Sequence, residues 1–206
     1  MKQYNNMEQP NNNKPNIIFL DFDGVLVSMD YMNVMHFRMH AATKLHGMEQ
    51  KLARQYVLDK YGHHFDPRCV AWLETIYEAT KCDFVISSTW NQAGLEVMQQ
   101  MWQDHNMPGR IIDIVDCHDR ANAILKWLHE HDYVLTKHCW CTIDDETVFD
   151  DIDNQFQKFQ IKPNTRYGIS LQDILNVIRH FNYVNNDMLL GPREVIKFAK
   201  QIWNKK

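Results

Sequence analysis

Residues 17 to 26 read "IIFLDFDGVL". Ile17, Ile18, Phe19 and Leu20 form an unbroken apolar run, the pattern of a strand buried on both faces of a parallel sheet. Two carboxylates, Asp21 and Asp23, follow at once. Acids at the end of a buried strand are costly unless a cation or a hydrogen-bond network receives them. Gly24 then permits a tight turn that exposes backbone N–H groups.

Working outward, residues 28 to 64 carry no strand pattern. "YMNVMHFRMHAATKLHG" and "MEQKLARQYVLDKYG" have helical periodicity, and each closes at a glycine, Gly47 or Gly62. This stretch is expected to be a small helical, cap-like insertion. "DPRCVAWLETIYEATKC" follows as an amphipathic helix, with Asp66 placed to cap it and Pro67 suited to its first position. "DFVIS", "RIIDIVD", "CWCTI" and the short "FQIKPN" read as further strands. "QAGLEVMQQMWQDH", "RANAILKWLHEH" and "SLQDILNVIRHF" read as the helices between and after them. This alternation predicts an α/β fold, a doubly wound parallel sheet with a small helical insertion after the first strand.

The 206 residues suit one domain, expected over 16–206, behind a leader of residues 1–15 rich in Asn, Gln and Pro and read as disordered. The leader lacks the hydrophobic core of a secretory signal. "GPREVIKFAKQIWNKK" reads as a helix stopping with the chain, the pattern of a fragment of a longer protein. Five scattered cysteines without a CxxC pair argue against a disulfide framework and fit a reducing, cytoplasmic compartment. His138, Cys139 and Cys141 are better read as part of a buried strand than as metal ligands. No apolar run reaches the ~18 residues of a membrane helix. A net charge of -4 gives no nucleic-acid footprint, although a local basic groove is compatible with it.

In doubly wound sheets, ligands bind beyond the carboxyl ends of the strands. There the sequence gathers Asp21 and Asp23, then Ser87, Ser88 and Thr89, then Asp144 and Asp145, with Arg120 opening the preceding helix. Clustered carboxylates repel one another unless a hard divalent cation binds them, and oxygen-only ligands favour Mg²⁺. An Asp carboxylate can attack phosphorus, and a second can protonate the leaving oxygen and then activate water. Turn amides, a hydroxyl and a cation would cradle the phosphate. Asp150, Asp151 and Asp153 read as a solvated acidic turn.

Together these motifs resemble those of haloacid dehalogenase (HAD) superfamily phosphatases. "LDFDGVL" is similar to their first motif, which implies Asp21 as nucleophile, Asp23 as general acid/base and the Asp23 carbonyl on Mg²⁺. "VISSTW" is similar to the second, with Ser88 the better match for the phosphate-binding hydroxyl and Ser87 the alternative. "TIDDE" is similar to the fourth, implying that Asp144 and Asp145 hold the metal. The third motif usually carries Lys; Arg120 stands at the expected helix start, and Lys126 is its rival.

The resemblance extends to HAD modules of RNA-repair proteins. It extends also to effector phosphotyrosine phosphatases that intracellular bacteria deliver into host cells. The short insertion implies an open site and a macromolecular substrate. A phosphorylated protein, with phosphotyrosine first, is the expectation, and a nucleic-acid 3′-phosphate end is the alternative. A non-catalytic phospho-ligand-binding module is the reading from a different class. Trp90 reads as packing or as an aromatic wall for a phosphoaryl group. Tyr31 and His36 are candidate substrate contacts from the insertion.

Overall fold

A computed structural model describes residues 14–62, 64–150 and 154–185. Residues 1–13 of the leader, Asp151, Asp153 and the segment 191–206 lie outside the described residues. Within the expected leader, Pro15 already engages the domain, its carbonyl accepting the Tyr133 hydroxyl at 3.0 Å.

The opening run is the central strand, β1 (Ile17–Leu20), and all four side chains are fully buried. It pairs in parallel with β2 (Asp83–Ile86) on one side and with β4 (Trp140–Ile143) on the other. Outside these lie β3 (Ile111–Ile114) and the short β5 (Gln160–Ile161), giving a five-stranded parallel sheet in the order β3-β2-β1-β4-β5. Alternation along β1 feeds two cores. Ile18 and Leu20 join α3 (Pro67–Thr80), α4 (Leu95–Asp104) and α6 (Leu171–Asn185) through Leu73, Trp102 and Ile178. Ile17 and Phe19 join α5 (Arg120–Glu130) through Ile124, Trp127 and Leu128. Phe19 meets Trp127 edge to face at 5.4 Å, and burying such a ring stabilises by roughly 2–3 kcal/mol.

The chain winds from β1 outward to β3, then crosses back to place β4 on the opposite side of β1. The connections leaving β1 and β4 therefore diverge, which opens a crevice at their carboxyl ends. Asp21 and Asp144 are the residues that follow these two strands.

The insertion comprises α1 (Met29–His40), a π-helical turn at Ala41–Leu45 and α2 (Gln50–Val57). Its two ends are fastened at one point. The Ser28 hydroxyl donates to Asp66 Oδ2 at 2.8 Å and accepts the Tyr31 N–H, while Asp66 Oδ1 accepts the Arg68 N–H and caps α3. Burial pushes the Asp66 carboxyl up, but hydrogen bonds from Arg68 and Ser28 outweigh it and hold it below the usual carboxylate range. The second insertion helix stops at Val57, short of Gly62. Beyond it, Asp59 accepts the Tyr61 N–H in a local turn and lies 2.6 Å from His105 Nε2, so a tertiary contact replaces the last helical turn.

All five cysteines are free thiols, and Cys141 is buried. His138 faces His180, with Nδ1 atoms 3.2 Å apart, instead of joining the cysteines in a ligand group. His180 Nε2 bonds to the Trp140 carbonyl, and burial drives its pKa down to about 4. No helix among the described residues is long and apolar enough to cross a membrane.

Candidate active site

Asp21 is 5% exposed, held by a rigid strand on its N-terminal side. Its Oδ1 accepts the Phe22 N–H at 2.7 Å, its carboxylate is bonded by the Ser88 hydroxyl, and its Oδ2 faces Arg120 Nη1 at 3.5 Å. The same Nη1 bonds to Asp144 Oδ2 and lies 3.9 Å from Glu146 Oε2. Burial raises the Asp21 carboxyl, the Asp144 charge raises it further, and Arg120, Ser88 and the Phe22 N–H offset only part, leaving it at about 7. Asp144 is fully buried and is likewise raised, chiefly by burial and against the pull of Arg120. The edge thus holds more negative charge than its own cation neutralises.

The turn after Asp21 is tighter than a free cradle of amides. The N–H groups of Val25, Leu26 and Val27 all point to the Phe22 carbonyl, and Gly24 N–H bonds to the Val27 carbonyl at 3.0 Å. Turn closure consumes these donors, leaving the Asp23 N–H as the turn amide without a partner among the described residues. Gly24 has φ +69°, and a Cβ there would collide with the Asp145 carboxylate. Glycine is required both for the turn and for the approach of the acid pair after β4.

Trp90 does more than pack. Its Nε1–H donates to Asp23 Oδ2 at 3.0 Å. Its ring stacks on Phe65 at 5.8 Å and meets Phe22 edge to face at 5.2 Å, which fixes the donor's position. Of the hydroxyl residues, Ser88 reaches Asp21, whereas buried Ser87 Oγ has no hydrogen-bond partner among the described residues. Thr89 is exposed and lines the same cavity as Asp21 and Asp23. Lys126 does not join the group: it is exposed, 3.9 Å from Glu130 one turn along α5, and lines a different cleft. The site cavity, about 560 Å³, is closed on one side by Met29, Met32 and His36 of α1. Tyr31 does not line it.

Residues 17–174 match the family of HAD domains in Swiss Army Knife RNA repair proteins, well over half of the chain. The chain belongs to this HAD family. No curated protein and no solved structure matches it. The match supports a phosphatase or hydrolase type of activity, and it begins at the first residue of β1 and runs past β5 into α6.

HAD domains generally use Mg²⁺, and the donor set here fits that ion. Asp21, Asp144 and Asp145 each offer a carboxylate oxygen, the three lying within 4.8 Å of one another with no nitrogen or sulfur donor in the group. Such hard oxygen donors suit Mg²⁺, and the raised Asp21 carboxyl marks charge that a cation would relieve. Glu146, Met29, Met32 and Asn33 also line the HAD cavity and were not singled out from sequence. Glu146 was legible as the residue closing "TIDDE". The α1 residues carried no signal beyond helical spacing.

Proposed function

We propose that this HAD domain is a phosphomonoester hydrolase acting through Asp21 on the phosphate at the end of a nucleic-acid strand. The observation that carries the hydrolase reading is the convergence of Asp21, Asp144 and Asp145 beside the Arg120 guanidinium at the switch point of the sheet. The family's description as a domain of RNA repair proteins supports the nucleic-acid end. The net charge of -4 is an average over the chain and does not describe the cavity.

In this mechanism an Asp21 carboxylate oxygen attacks phosphorus, and the bond from phosphorus to the ester oxygen breaks. Asp23 gives its proton to that leaving oxygen, so the strand departs as an alcohol and the phosphoryl group stays on Asp21. Asp23 then takes a proton from water, whose oxygen attacks phosphorus and releases inorganic phosphate with Asp21 regenerated. The Trp90 N–H fixes the Asp23 carboxylate for both transfers. Arg120 and the Ser88 hydroxyl are placed to bind phosphate oxygens once these displace their present carboxylate contacts. Mg²⁺, held by Asp21, Asp144, Asp145 and the Asp23 carbonyl, would neutralise charge between nucleophile and phosphate.

A second reading, phosphotyrosine hydrolysis, draws on the apolar wall of Met29 and Met32 beside the nucleophile. Catalytic efficiency on 3′-phosphorylated oligonucleotides, phosphotyrosyl peptides and p-nitrophenyl phosphate, with Mg²⁺, decides between them. Preference for the oligonucleotide with loss in Asp21→Asn is expected. Preference for the peptide selects the second reading, and no turnover with any divalent metal favours a phospho-ligand-binding module.

A further inference from the structure

The catalytic cavity does not end at the insertion. His36, which lines it, also lines a second cavity of about 600 Å³ that runs along the same helical ridge. The walls of this outer groove are His36, Met39, His40, Thr43, Lys44 and Met48, completed by Gln50. His36, His40 and Lys44 recur every fourth residue, so they stand on one face at steps of ~6 Å. The π-helical turn at Ala41–Leu45 continues that face beyond α1.

The chemistry of the groove is one-sided. No acidic side chain lines it. The His36, His40 and Lys44 side chains make no ion pair or hydrogen bond with another described residue. Several cations elsewhere on the surface have an acid beside them: Lys60 has Asp104, Lys81 has Glu78 and Arg110 has Asp83. Met39 and Met48 line the same groove, and such soft, pliable side chains suit flat apolar faces without fixing one shape. A row of unmatched donors with methionines beside it is complementary to a chain of phosphates carrying bases.

We propose that this face of the insertion is the track for the single strand whose terminal phosphate enters the Asp21 cavity. His36, His40 and Lys44 contact successive backbone phosphates, and Met32 and Met39 pack against bases. The run from His36 to Lys44 spans ~12 Å, room for roughly three stacked nucleotides. The inference rests on the nucleic-acid reading above and extends it, because it makes the substrate a strand and not a free nucleotide.

The test is fluorescence anisotropy on the full chain carrying Asp21→Asn, which stops turnover. Probes are dye-labelled, 3′-phosphorylated single strands of one, two, four and eight nucleotides. Affinity should rise with length to about four nucleotides and then level off. Lys44→Glu combined with His40→Ala, both at exposed positions, should weaken the four-nucleotide probe about tenfold. Lys44→Glu alone should flatten the slope of log affinity against log salt by at least about 0.7, while Lys44→Arg preserves it. Affinity that is independent of length, or unchanged in the double variant, overturns the track. So does a phosphotyrosyl peptide that depends on Lys44 when the strands do not. The two readings fail separately. Length-dependent binding without hydrolysis of any phosphomonoester keeps the track and removes the hydrolase. Hydrolysis with no gain from length does the reverse.

Discussion

The strand edge and the insertion face each other across one cavity, yet they are built on opposite terms. At the edge, Asp21 and Asp144 are buried, crowded and held by a guanidinium, so every group there is answerable to its neighbours. On the insertion, His36, His40 and Lys44 are exposed, and Met35 and Ala42 are the residues of α1 and its π-helical extension that are buried. Buried charge in low dielectric has large, geometry-dependent effects, whereas exposed charge is weak and screened. The edge is suited to chemistry and the insertion to reading a substrate. The edge should therefore respond to pH and metal, and the insertion to salt.

The largest expected effect tests the edge directly. Asp21→Asn should lower phosphatase turnover on the order of a thousandfold or more. It should also raise the melting temperature, because a buried carboxylate repelled by Asp144 has been removed. A variant that loses activity and stability together would mean that Asp21 is a structural ligand of the turn.

Arg120→Met comes next. It strips the counter-charge from two buried acids and should cost about 3 kcal/mol in urea unfolding, part of it recovered by Mg²⁺. The matched change at the exposed rival, Lys126→Met, should stay within about 0.5 kcal/mol. Equal losses at both positions would erase the contrast between buried and exposed cations.

The pH response follows from the raised Asp21 carboxyl. Its folded pKa, about 7, lies above its ordinary value of 3.8, so between these pH values the folded site retains a proton that the unfolded chain has released. This group's contribution to stability is full below pH 3.8 and is lost as pH rises through 7. Below about 7, Mg²⁺ must displace that proton, and its affinity should increase as pH rises. Calorimetric titration in two buffers of different ionisation heat should show proton release at pH 6 and little at pH 8.

The smallest effect concerns the aromatic donor. Trp90→Phe keeps the ring and removes the N–H bonded to Asp23. It should lower kcat/KM for alkyl phosphate esters about five- to tenfold, the net worth of one ordinary hydrogen bond. It should leave kcat/KM for p-nitrophenyl phosphate nearly unchanged, because that constant covers only the release of the leaving group, which departs without an acid. Equal slowing of both esters would assign Trp90 to packing.

Much of this was legible because it is local. An apolar run, a capping Asp66 with Pro67 behind it, and acids placed just after strands are patterns within a few residues, and the helices and strands fall where those patterns put them. What sequence left open depends on partners far along the chain. Trp90 meets Asp23 across 67 positions, and Arg120 meets Asp21 across 99. The choice of Arg120 over Lys126 as the neighbour of the acids follows from which face of α5 turns to the crevice. Most of the turn amides are engaged for the opposite reason: their partners are so near that closure of the turn satisfies them, and the Asp23 N–H is left over.

By itself, the sequence determined that a parallel sheet would carry acids at its carboxyl edge, since strand burial and the charge that follows it are written in adjacent residues. Only the tertiary structure decided how those acids are balanced. It also made Gly24 a vacancy for Asp145, turned a packing tryptophan into a hydrogen-bond donor, and joined the insertion's outer face to the nucleophile's cavity through His36. Electrostatics and hydrogen bonds act through space, and the distances that set them exist only once the chain has closed on itself.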